Sequence, residues 1–205
     1  NKTSKPVAPI YYSYLSGYGE DKNRKNKSKI LNSKSNDINT FKKVQYFLSK
    51  KDPFKALRYL QSKRHLFSDN LVYDQILAKI SLSFYSLGNI REAYKTSSIA
   101  SDRSGKLDSW ISWRAGLSAI RHERVDEALG HFEKCYSVES DKSDWEHSAC
   151  LYWAARIHSS KKNLSLSQNL LLKSAKYSRT MYGHLAREKL NLSEPYKWSI
   201  PLKDN

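Results

Sequence analysis

Ala93 and Ala128 stand at the same place in two copies of one helix–turn–helix pattern, 35 residues apart. That interval is close to the ~34-residue period of tetratricopeptide units. Units of this length cannot bury their apolar faces alone, so they stack on their neighbours. The first copy turns at Leu87-Gly88-Asn89-Ile90-Arg91-Glu92-Ala93-Tyr94. Gly88 suits the left-handed closing position of one helix, while Asn89 and Glu92 stand where a capping box opens the next. Ala93, Ser97 and Ala100 are small enough for two helices to approach closely. The predicted fold is therefore all-α, a TPR-like helix-pair superhelix (α-solenoid).

Helical spacing extends to both sides. Phe41, Val44 and Leu48 repeat at three and four. Asp52-Pro53 reads as an N-cap with a first-turn proline, ahead of Phe54, Leu57 and Leu60. A longer helix opens near Asp69, carrying Val72, Ile76, Leu77, Ile80 and Phe84. In the second copy Trp110, Trp113, Leu117 and Ile120 face Val125, Ala128, Leu129, Phe132, Cys135 and Tyr136, with Gly116 at a packing offset. A third unit opens at Ser143-Asp144-Trp145-Glu146, with Trp145, Ala149, Tyr152, Trp153 and Ile157 on one helix and Leu164, Leu170, Leu171 and Ala175 on the next. A last helix covers about Thr180 to Leu190, and Pro195 and Pro201 prevent its continuation. The expected division is a polar, Tyr- and Lys-rich arm over 1–37, repeats over 38–190 and an extended tail over 191–205.

The chain has a formal net charge of +16, which favours anionic partners through long-range attraction. No run of about 18 apolar residues is present to cross a membrane. The opening Asn1-Lys2-Thr3-Ser4-Lys5 fits either a mature product after signal cleavage or a fragment.

Candidate chemistry is sparse. No HExxH, GxxxxGK[ST] or GxGxxG pattern occurs, and no nucleophile elbow singles out a serine. His122-Glu123 reads as an exposed turn. Glu139-Ser140, with Asp141 and Asp144 nearby, reads as a solvated loop, because a general acid needs burial to raise its pKa. Trp110, Trp113, Trp145 and Trp153 fall on core stripes, while Trp198 lies beyond the last helix. Cys135 and Cys150 lack zinc spacing. They could meet across a hairpin in an oxidising compartment, but disulfide geometry is strict, and buried free thiols are the expectation. No catalytic residue, metal ligand or cofactor is assigned, and the ligand-binding residues are not identified by sequence.

Four segments share a likeness. Trp113-Arg114-Ala115-Gly116-Leu117-Ser118-Ala119 resembles a W-x-A-G-L-x-A helix. Asp126-Glu127-Ala128 with His131-Phe132-Glu133 resembles A-x-x-H-F-E, and Tyr152-Trp153-Ala154-Ala155-Arg156 resembles Y-W-A-A-R. Arg179-Thr180-Met181-Tyr182-Gly183-His184-Leu185-Ala186 resembles R-T-F-Y-G-x-L-A, with Met181 in place of Phe, and Trp198 and Pro201 come after it. Together they resemble the superhelical, non-catalytic region of a soluble lytic murein transglycosylase. The resemblance implies a periplasmic location, peptidoglycan glycan strands as partner, and a parent enzyme that cleaves MurNAc–GlcNAc bonds to 1,6-anhydro products. That chemistry would belong to a lysozyme-like domain whose Glu-Ser and G-L-M-Q segments have no counterpart in context here, so no catalysis is expected of this chain alone. The competing expectation is a TPR-like module holding a protein segment in a concave groove. Nucleic acid is not expected, since no basic-plus-aromatic module is present.

Overall fold

The computed structural model describes residues 35–67, 69–138 and 143–193, with side chains from 38 onward. Among these residues there are nine α-helices and no strand. They are α1 (Ser35–Ser49), α2 (Pro53–Ser62), α3 (Asn70–Ser86), α4 (Ile90–Ser104), α5 (Ser109–Arg121), α6 (Val125–Tyr136), α7 (Asp144–Ser160), α8 (Leu164–Ala175) and α9 (Met181–Lys189). They fall into two compact units, one ending at Ser143 and one starting at Asp144. Residues 1–34 and 194–205 of the expected arm and tail, Trp198 and the loop Glu139-Ser140-Asp141 lie outside the described residues. None of the described helices is long and apolar enough to cross a membrane.

Helix starts agree closely with the sequence. The Lys55 amide donates to Asp52 Oδ1 at 2.9 Å with Pro53 opening α2. The Leu71 amide donates to Asp69 Oδ1 at 2.8 Å, and the Trp110 amide to Asp108 Oδ1 at 2.9 Å, the latter a cap that the sequence reading did not name. Thr180 accepts from the Gly183 amide at 3.0 Å to open α9. Each pairing satisfies an amide that the helix itself leaves unpaired. Asn89 is a correction. It occupies the N-cap of α4, but its side chain makes no capping hydrogen bond.

The turns inside the helix pairs share one closing device. Lys51, Gly88, Glu123 and Lys162 have φ of 57°, 81°, 62° and 63°. In each, the next amide reaches back to the carbonyl five residues earlier: Asp52 to Phe47, Asn89 to Phe84, Arg124 to Ala119 and Asn163 to His158, at 2.9–3.0 Å. This is the Schellman closure, which satisfies late helix carbonyls. Only Gly88 adopts it without a Cβ penalty, so a chain with seven glycines still makes tight repeat turns.

In the first unit α3 is buried on nearly every side, from Val72 through Ala78, as expected of a helix surrounded by others. Its Ile76, Ile80 and Phe84 join Phe41, Val44, Leu60, Ala93, Ala100, Trp110 and Ile111 in one core. Gly116 of α5 sits directly on the Phe132 ring of α6. In the second unit Tyr152, Ala175 and Ala186 pack together, so α9 closes on the α7–α8 pair.

Four apolar side chains differ from core expectation: Phe54, Val125, Trp145 and Leu164 are 44%, 40%, 58% and 67% exposed, and Met181 is likewise 52% exposed. All stand at the first or second position of their helices. A helical side chain leans toward the N-terminus and covers the turn before its own Cα. In the first turn no such turn exists, so these groups project past the helix end. Trp145, Val125, Leu164 and Phe54 are therefore removed from the expected core stripes.

Candidate functional site

Three of the first unit's helices enclose a groove of about 530 Å³. α4 supplies its wall through Arg91, Lys95, Ile99 and Arg103, four residues spaced by four. At 3.6 residues per turn such spacing makes one continuous ridge. α3 contributes Tyr73 and Leu77, and α2 contributes Leu57 and Gln61, again at spacings of four. Glu92 and Thr96 complete the lining. The lining is thus mixed: Leu57, Leu77 and Ile99 supply apolar surface, Gln61, Glu92 and Thr96 are polar, and the α4 wall carries the cations. Arg91, Lys95 and Ile99 are exposed.

A buried carboxylate sets the far end of that ridge. Asp74 has no exposed surface, yet Arg103 Nε donates to its Oδ2 at 3.3 Å and a second Arg103 nitrogen donates to Oδ1. The Ser104 hydroxyl donates to Oδ2 at 2.6 Å. Burial pushes the Asp74 carboxyl above its usual range, while these hydrogen bonds pull against it. Next to it, the Tyr73 ring has the Arg64 and Arg103 guanidinium carbons 4.6 and 5.4 Å from its centroid, within cation–π range. Burial also raises the Tyr73 hydroxyl.

Behind the groove wall runs a second polar chain. The Ser112 hydroxyl donates to the Gly105 carbonyl at 2.9 Å, and the Ser101 and Ser112 oxygens are 3.0 Å apart. Ser112 has one proton and has spent it, so Ser101 donates to Ser112. His131 Nδ1, 2.9 Å from the Ser101 oxygen, then donates to Ser101. This order puts a proton on Nδ1. Burial lowers the His131 pKa to about 4, with Lys134 adding to the effect, so the imidazole is neutral at pH 7.

The residues singled out by sequence do not converge on a reactive centre. His122 ends α5 with its ring 4.9 Å from that of Tyr94, and Glu123 is an exposed turn residue. Trp110 and Trp113 are buried, and the Trp113 ring lies 5.7 Å from that of Phe132. Trp153 is half-buried, with Arg156 4.5 Å from its ring centre. Cys135 and Cys150 are buried as expected, but neither is a free thiol, which corrects the sequence expectation. Among the described residues no group of three or more His, Cys, Asp or Glu could hold a metal ion.

Sequence reading missed Asp74, Asp108 and His131 inside the fold. The signal was present for Asp74, a carboxylate set within the apolar run of α3. His131 is visible in sequence only as part of the H-F-E resemblance, and its buried hydrogen bond is hidden because its partner Ser101 is 30 residues away.

No protein-family profile matches the chain. No curated protein matches it either. Two solved structures are similar to it: MamA 41-end from Desulfovibrio magneticus RS-1, and an RS-1 MamA double mutant. Each is 15% identical over 78% of this chain and 88% of its own, with a TM-score of 0.51. That likeness extends to the fold alone, and with the helix pairs above it establishes an all-helical chain of TPR-like repeats.

Proposed function

We propose that this chain is a TPR-like interaction module that holds a segment of a partner protein in the α2–α3–α4 groove. The observation that carries this reading is the lining itself: the apolar side chains of Leu57, Leu77 and Ile99 set among polar groups along the exposed ridge Arg91–Lys95–Ile99–Arg103. Grooves that combine apolar side chains with placed polar and charged groups suit amphipathic peptide segments, and the fold likeness to MamA supports a repeat scaffold. Selection from a displayed library of helical peptides tests it. The folded protein should enrich a defined set, and Ile99→Asp should lose that set without a change in its melting temperature. Peptides that bind the variant equally well would contradict the assignment.

A second reading keeps peptidoglycan. The four segments that resemble lytic transglycosylases lie in chain order on or at the start of α5, α6, α7 and α9, and the absence of a free thiol among the described residues fits an oxidising compartment such as the periplasm. In that reading the chain is a glycan-binding helical scaffold. Retention on purified sacculi that fades between low and high salt would support it, and no retention would remove it.

A further inference from the structure

We infer that the occupant of the groove is an acidic amphipathic helix, an inference that rests on the protein-segment reading above. Its first support is charge. Arg91 and Lys95 are exposed on the groove wall, and among the described residues neither forms an ion pair. Arg103, the third cation, is already committed to Asp74. Glu92 is the one carboxylate in the lining besides these cations. The open end of the ridge therefore offers two cations without an ion pair, about 6 Å apart along the axis from four residues at 1.5 Å each, against the single carboxylate of Glu92.

The second support is the match of spacing and chemistry. Carboxylates at i and i+4 on a docked helix repeat at the same interval as Arg91 and Lys95. An apolar stripe on that helix would lie on Leu57, Leu77 and Ile99. An extended segment fits less well, because it must pair its own backbone amides and carbonyls. Arg91 and Lys95 can donate to carbonyls but accept nothing, so the amides of an extended segment would find few side-chain acceptors in the lining, chiefly Gln61, Glu92 and the Thr96 oxygen. A helix satisfies its backbone internally and needs only side-chain partners.

The test uses the full chain and a library of alanine-based helical peptides. Each carries leucines on one stripe, with the flanking positions randomised among Glu, Gln and Lys. Sequences retained by the wild-type protein should favour Glu over Lys at i,i+4 flanks by about tenfold at low salt, the scale expected of two exposed charge pairs. The double variant Arg91→Glu/Lys95→Glu should reverse that preference while circular dichroism shows an unchanged fold. A proline placed mid-peptide should abolish retention, because it breaks the helix. Equal retention of Glu and Lys peptides, still lost with Ile99→Asp, would overturn the acidic inference and leave the protein-segment reading standing. Retention insensitive to both sets of substitutions would overturn both.

Discussion

Gly116 of α5 and Phe132 of α6 are in direct contact, and a Cβ built on Gly116 would lie under 3.0 Å from three atoms of the Phe132 ring. The glycine is what lets these two helices close. Gly116→Ala should gain about 1 kcal/mol of helix propensity but lose about 1–3 kcal/mol to overpacking. The net result is a less stable protein. Phe132→Leu in the same background should recover part of the loss, whereas Phe132→Ala in the wild type should cost about 3–5 kcal/mol by leaving a cavity. Urea melts of Gly116→Ala, Phe132→Leu and their double variant measure the coupling between the two positions.

The repeat turns make an opposite prediction. Glu123 and Lys162 hold φ of 62° and 63° without the freedom of glycine. Glu123→Gly and Lys162→Gly should each stabilise the protein, by up to about 1 kcal/mol, since relief of the left-handed strain exceeds the added freedom of the unfolded chain. Thermal melts should show a rise in midpoint for both, and a fall for Gly88→Ala at the equivalent turn.

His131 makes stability depend on pH. Its folded pKa of about 4 lies below the unfolded value of about 6.5. Between these values the unfolded chain binds the extra proton, so stability falls as pH drops from about 6.5 toward 4. The size of the effect is about 3 kcal/mol at most. Asp74 works in the opposite sense, because burial raises its carboxyl. The informative quantity is therefore the difference between wild type and His131→Gln across pH 4 to 7. The variant should be the less sensitive of the two to acid.

Tryptophan placement separates what sequence spacing reveals from what it hides. Trp113 is 8% exposed and Trp145 is 58% exposed. Trp113→Ala should cost about 3–5 kcal/mol, and Trp145→Ala should stay within about 0.5 kcal/mol of wild type. Acrylamide should quench the emission component lost in Trp145→Ala more strongly than that lost in Trp113→Ala.

The same contrast explains how much of the molecule is readable from residues alone. Asp52, Asp69 and Gly88 act within one helical turn, so their roles can be read from local sequence. Trp145, Val125 and Leu164 have the right periodicity, but the N-terminal lean of helical side chains carries them beyond the packed layer. The groove has a sequence trace in the spacing of Arg91, Lys95, Ile99 and Arg103. Its significance depends on Tyr73 and Leu77 arriving from α3, which no local pattern encodes. The Asp74–Arg103 pair, 29 residues apart, is hidden for the same reason.

Amide hydrogen exchange of the full chain, with and without a library-selected helical peptide at saturation, tests the central claim most directly. Added protection should map to α4 around Arg91–Arg103 and to the facing parts of α2 and α3 at Leu57, Gln61, Tyr73 and Leu77. It should vanish with Ile99→Asp. Protection confined to α7–α9, or none under saturating peptide, would contradict the account of this groove as the binding site.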